Sequence, residues 1–287
     1  MSTTLATIPP STFRVRGPVA VLLALALVAI AGSAALNARA GAAPPGDARI
    51  ATVEGRPVAY RVLGAGRPAV VMISGLGDGM ATFKDVATDL ARGGTVILYD
   101  RAGYGASAPA AGPRDAEAAS RELSALLAQT GVSGPYVVIG HSLGGSYAEY
   151  FAARHPDLVA GLVLEESRPS DFERRCVAAK AGMCAPPALL MRFAPRGAQG
   201  EFAGLDATMR EIGSAGAARG KPVLVLSRSV GARPAAFDAV WRDAQADLAA
   251  RYPGSRHLTA PAGGHAIHRD QAAWFVASVR SFLNGLR

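Results

Sequence analysis

Aromatic residues make up only 6% of this 287-residue chain, charged residues only 18%, and cysteine occurs just twice. Scarce charge beside 50% apolar residues excludes a disordered chain and supplies a sizeable core. The basic residues never form a run of five or six and are not interleaved with aromatics. The formal charge of +8 falls to +5, from 27 basic and 22 acidic residues, once Arg14, Arg16 and Arg39 of residues 1–46 are set aside. No nucleic-acid partner is therefore expected. Cys176 and Cys184 are eight positions apart in a loop-rich region and match no zinc motif. They form a local disulfide or stay as two free thiols. There is no internal repeat and no low-complexity tract.

What is present at the N-terminus is one long uncharged segment. Arg14 and Arg16 precede the apolar run Val19–Ala31, then small residues, then Ala38-Arg39-Ala40, a small-x-small pattern. This is the anatomy of a secretory signal peptide. Counted over residues 17–38 the stretch is also long enough to span a bilayer as an uncleaved anchor. Either outcome predicts an exported or membrane-anchored protein whose remaining residues face outside the cytoplasm. Residues 1–46 are thus expected to be signal or anchor plus the linker "GAAPPG", with one domain over residues 47–287.

From Arg49 onward strand-like and helix-like segments alternate. Val70–Ser74, Thr95–Tyr99, Tyr136–Gly140, Ala160–Leu164 and Pro222–Leu226 are short apolar runs rich in β-branched residues, the signature of strands buried on both faces. Residues 115–130 and 270–285 carry apolar residues at helical spacing, for example Ala119, Leu123, Leu126 and Leu127. The segments "RIATVEG" and "RPVAYRV" predict an antiparallel hairpin leading in. The alternation predicts an α/β fold: a mostly parallel sheet flanked by helices, with chemistry at the carboxyl ends of its strands. Residues 168–219 break the rhythm and predict an inserted helical cap.

The most specific motif is Gly140-His-Ser-Leu-Gly144, placed between a strand pattern and a helix pattern. A serine displayed there needs a tight turn in which a Cβ at Gly140 or Gly144 would collide. The helix that follows aims N–H groups at Ser142, and the Leu143 N–H is a candidate oxyanion donor. A serine hydroxyl needs a base. Of the five histidines, His265 and His268 share the loop "PAGGHAIHRDQ" between the last strand and the last helix, and both are candidates.

Taken together, "GHSLGG" (140–145), "ISGLGDG" (73–79), "YDRAGYGAS" (99–107) and "GGHAIHRDQ" (263–271) resemble the α/β-hydrolase superfamily over residues 47–287. The resemblance implies that Leu76 N–H supplies a second oxyanion donor and that His265 is the base. It also implies that Asp100 and Arg101 are structural. The base's carboxylate partner is absent from the usual place, because Pro222–Phe237 holds no Asp or Glu. The other location used in the superfamily is the end of the strand after the nucleophile's helix. Counting there gives Glu166, with Glu165 as the alternative if the register slips by one.

The expected activity is hydrolysis of a carboxylic ester or similar small-molecule acyl substrate through an acyl-enzyme with a Ser142–Glu166–His265 triad. No cofactor and no metal is implied. The alternatives are an aminopeptidase-type serine peptidase, with Glu165, Asp171 or Glu173 holding a substrate amine, and a non-catalytic binding protein on the same fold.

Overall fold

In a computed structural model, residues 47–286 are described apart from 219, 230, 232 and 233; the expected signal or anchor segment lies outside the described residues. Eight strands form a single sheet in the order β1-β2-β4-β3-β5-β6-β7-β8. β1 (Arg49–Val53) and β2 (Arg56–Gly64) are the antiparallel hairpin, and β2 runs antiparallel to β4 (Thr95–Tyr99). β3 (Ala69–Ile73), β5 (Tyr136–His141), β6 (Val159–Glu165), β7 (Val223–Ser227) and β8 (Arg256–Thr259) continue the sheet in parallel.

The continuous apolar runs are explained by two-sided burial. Val71, Ile73 and Val138 face one core with Leu123 and Leu126 of α2 (Ala116–Leu127) and Phe151 of α3 (Leu143–Arg154). Val70, Met72 and Ile139 face the other, with Val86 of α1 (Lys84–Leu90) and Phe275 and Val279 of α10 (Ala272–Asn284). Asp115 caps α2 by accepting the Ala118 N–H at 2.8 Å.

Between β6 and β7 the chain leaves the sheet as four helices: α4 (Phe172–Ala178), α5 (Ala188–Met191), α6 (Arg196–Ala203) and α7 (Leu205–Ala215). Cys176 and Cys184 are joined as a disulfide and tie α4 to the loop that follows it. α8 (Ala235–Ala250) lies beneath this excursion, where Phe237 and Trp241 pack on Phe172 and Cys176. Among the described residues no helix is long and apolar enough to cross a membrane.

Candidate active site

The strand-to-helix turn after β5 holds Ser142 at φ 54°, ψ −121°, a region L-residues avoid and which costs of order 1–3 kcal/mol. The surroundings enforce it. The Ser142 N–H donates to the Glu165 carbonyl, and the Ser142 carbonyl accepts from Gly145 N–H and Arg168 N–H. A Cβ at Gly140 would run into the Gly144 carbonyl, and one at Gly144 into the Ile73 and Ser74 carbonyls. Both glycines are therefore demanded by close backbone approach.

His265 reaches the serine from the loop between β8 and α9 (Ile267–Asp270), where the Gly264 N–H donates to Asp270. Its Nε2 lies 3.0 Å from Ser142 Oγ and its Nδ1 lies 3.1 Å from Glu166 Oε2. The carboxylate only accepts, so Nδ1 carries the proton and Nε2 presents its lone pair to the serine hydroxyl. Trp241 stands edge-on to the imidazole, ring centroids 5.5 Å apart. This arrangement lets the ring take a proton from Ser142 and hold the resulting charge against Glu166.

Glu166 comes one residue after β6 ends, at φ 46°, while its N–H still donates to the Leu226 carbonyl of β7. That left-handed residue separates the two adjacent glutamates, both fully buried. Glu166 accepts the Arg228 backbone N–H at 2.9 Å and Arg228 Nη1 at 2.8 Å. Arg228 also spans to Asp238 Oδ1 at 2.6 Å, and its guanidinium lies over the Trp241 ring. The buried carboxylate therefore has a guanidinium partner as well as an imidazole. Nothing in the local sequence around Arg228 announces this, since the partners are far apart in the chain.

Glu165 serves a different histidine. Its Oε1 accepts the His268 backbone N–H at 2.7 Å and the His268 ring Nδ1–H at 2.9 Å. On the far side of that ring, Thr82 Oγ1 lies 3.0 Å from Nε2. Burial would raise the Glu165 pKa, but the charge of His268 and its hydrogen bonds overcome it and hold the carboxyl below its usual range. His268 thus pairs with Glu165 and Thr82, while His265 takes the serine.

His141 completes the cluster beneath the site. Its Nε2–H donates to the His265 carbonyl at 2.9 Å, and its Nδ1 has no hydrogen-bond partner among the described residues. Full burial pushes its pKa down to about 3, against the pull of Glu165, so the ring is neutral. His141, Glu165 and His268 bring ligand-type atoms within 4.8 Å of one another, but these atoms are largely spent on the hydrogen bonds just described. His257 pairs with Ser227 at the edge of the sheet.

Leu76 and Leu143 line the same cavity as Ser142 and His265. Leu143 opens α3, where the first N–H groups have no partner within the helix. The loop of Leu76 approaches so closely that a Cβ on Gly75 would sit 2.9 Å from His141 Nδ1 and 3.2 Å from Ser142 Cβ. Arg101, read as structural, pins this loop. It donates to the Ser74 carbonyl at 2.6 Å and the Gly75 carbonyl at 3.0 Å, and its charge meets Glu201 of α6 at 2.5 Å. Asp100 accepts the Met80 and Ala106 N–H groups, which makes it structural too.

The cavity has a volume of about 410 Å³. Its walls are mostly apolar, including Met183, Pro187, Leu205, Phe237 and Trp241, and its charged members are Arg168 and Arg228. Asp171 pairs with Arg174 and Arg175, and Glu173 with Arg168.

Comparison with known proteins places the chain in a family. A family model described as "alpha/beta hydrolase fold" matches residues 68–212. The pimeloyl-[acyl-carrier protein] methyl ester esterase of Chromobacterium violaceum is 43% identical over 107 residues, covering 37% of this chain and 39% of that protein. An uncharacterized protein of Mycobacterium tuberculosis is 36% identical over 122 residues, covering 42% of this chain and 35% of that protein. The chain thus spans well under half the length of these relatives. In overall fold it superposes on a thermophilic esterase from Thermogutta terrifontis with a TM-score of 0.62 at 21% identity, over 84% of this chain and 99% of that one. The chain belongs to the alpha/beta hydrolase fold family.

Proposed function

We propose that this protein hydrolyses carboxylic esters through an acyl-enzyme on Ser142. The observation that carries the reading is one imidazole bridging two groups: His265 lies 3.0 Å from Ser142 Oγ and 3.1 Å from Glu166 Oε2. His265 Nε2 takes the hydroxyl proton as Oγ bonds to the ester carbonyl carbon, and the carbonyl π pair moves onto oxygen. The Leu76 and Leu143 N–H groups face that oxyanion; one such donor is worth about 2.7–4 kcal/mol in related chemistry. His265 returns the proton to the departing alkoxide, leaving an acyl-serine. Water, deprotonated by the same nitrogen, then releases the acid.

The apolar walls favour an aliphatic or aromatic group on the substrate. An aminopeptidase would need a carboxylate facing the cavity to hold an amine. Glu165, Asp171 and Glu173 are instead engaged by His268 and by arginines, and the cavity presents Arg168 and Arg228. The bonded cysteines fit the exported location that residues 1–46 imply. Thiols that alkylate without prior reduction in the native protein would count against that location.

Nitrophenyl esters of rising chain length, run beside aminoacyl anilides, test the reading. Ester turnover by the wild type and none by Ser142→Ala is expected; turnover confined to anilides would overturn it.

A further inference from the structure

The exposed large apolar side chains among the described residues are not scattered. They are Ile50, Val177, Met183, Leu189, Leu190 and Phe193, so all but Ile50 fall within residues 177–193. Leu189 is 65% exposed and Phe193 53%, which is unusual for side chains that gain nothing from water. The disulfide between Cys176 and Cys184 holds the neighbours Val177 and Met183 on one part of this surface. Met183, Pro186 and Pro187 belong to the same stretch and wall the cavity that contains Ser142. The apolar surface therefore borders the catalytic cavity.

Charge identifies what covers it. Residues 174–200 contain Arg174, Arg175, Lys180, Arg192 and Arg196 and no Asp or Glu. Lys180, Arg192 and Arg196 are exposed and enter no salt bridge among the described residues, whereas Arg174 and Arg175 share Asp171. Exposed apolar side chains and unneutralised cations in one stretch fit a layer that is hydrocarbon inside and anionic at its face. A second copy of the same surface would bring like charges together.

We propose that residues 177–193 dock the protein on an anionic lipid surface, so that an ester-bearing lipid chain passes from that surface into the adjoining cavity. The docking stands on its own; the delivery of substrate rests on the esterase reading. Leu189, Leu190 and Phe193 enter the hydrocarbon boundary while Lys180, Arg192 and Arg196 meet the phosphates.

The test uses the full chain carrying Phe193→Trp, with vesicles of brominated phosphatidylcholine alone or mixed equally with phosphatidylglycerol. Fluorescence of the variant minus that of the wild type isolates the new indole from Trp241 and Trp274. Added quenching on the mixed vesicles, weakened by salt and by omission of phosphatidylglycerol, is expected. No added quenching on those vesicles, whether or not the protein cosediments with them, would overturn the docking. In a second arm, Leu189→Ser/Leu190→Ser/Phe193→Ser should keep turnover of a water-soluble acetate ester. It should lose about tenfold or more on a diacyl ester held in the mixed vesicles, as withdrawn apolar anchors predict. Equal rates on the vesicle ester overturn the proposal, as does a wild-type dimer that this variant dissociates in sedimentation. If the wild type turns over neither ester, the esterase reading fails while quenching still decides the docking.

Discussion

Glu166→Gln preserves shape and volume and removes one charge, and its cost follows from the contacts of the two oxygens. Oε1 accepts the Arg228 backbone N–H, and Oε2 accepts both Arg228 Nη1 and His265 Nδ1–H. A glutamine has one oxygen and one NH₂ to offer these three donors. With its oxygen toward the Arg228 backbone, the NH₂ opposes His265 Nδ1–H, and the ring relieves the clash by moving its proton to Nε2. That tautomer no longer accepts from Ser142. With the oxygen toward His265, the NH₂ opposes a buried backbone N–H, at about 1–3 kcal/mol. Forcing the wrong tautomer in serine proteases lowers kcat about 10⁴-fold. The same fault here predicts a fall of about 10³–10⁴, or roughly 4–5.5 kcal/mol. Glu165→Gln is the control: an amide oxygen in place of Oε1 keeps the two His268 contacts of that oxygen. Its NH₂ disturbs only the longer Oε2 contact to His268 Nδ1 at 3.0 Å, and His268 is not the ring that meets Ser142 Oγ. This variant should lose less than about tenfold in kcat and roughly 2 kcal/mol in stability. The assay is kcat on a short nitrophenyl ester, with urea unfolding of each variant. A kcat for Glu166→Gln within tenfold of wild type, or a deeper loss in Glu165→Gln, would refute the assignment of the acid.

Arg228→Met strips the guanidinium from Glu166 and Asp238 together and should cost about 3–5 kcal/mol of stability. Arg228→Lys, which cannot span both acids, should fall between; equal urea midpoints for all three proteins would contradict the pairing. His141 predicts a pH effect of definite sign. Its folded pKa of about 3 lies below its ordinary value of 6.5, so the unfolded chain binds more protons between these values. Its contribution is full above pH 6.5 and is lost as pH falls toward 3, by up to about 5 kcal/mol. Urea midpoints across that range should flatten in His141→Gln, and an unchanged slope would count against a neutral buried ring.

Legibility in the sequence followed the range of the interaction. The strands at residues 70–74, 95–99, 136–140 and 160–164 were readable to within a residue because two-sided burial demands continuous apolar runs. Gly140, Ser142 and Gly144 were readable because a tight turn leaves little choice of residue. Glu166 was harder. Strand alternation separates it from Glu165, but the left-handed backbone that aims it has no glycine to mark it. Arg228 on Glu166, Arg101 on Glu201 and His268 on Glu165 join residues 62, 100 and 103 positions apart, so no local pattern encodes them. The one available signal was supply and demand: adjacent acids at the end of a buried strand need partners, and His265 and His268 lie three residues apart in one loop. Within the predicted cap, which of the apolar residues face outward was not legible: Leu189, Leu190 and Phe193 are exposed. A helix as short as α5 fixes no face by periodicity.

The most direct measurement treats the full-length protein with a fluorophosphonate and maps the adduct by peptide mass spectrometry. A single adduct on Ser142, absent from Ser142→Ala and slowed in His265→Ala, is predicted. No adduct on the folded wild type, or one on another residue, would contradict the account.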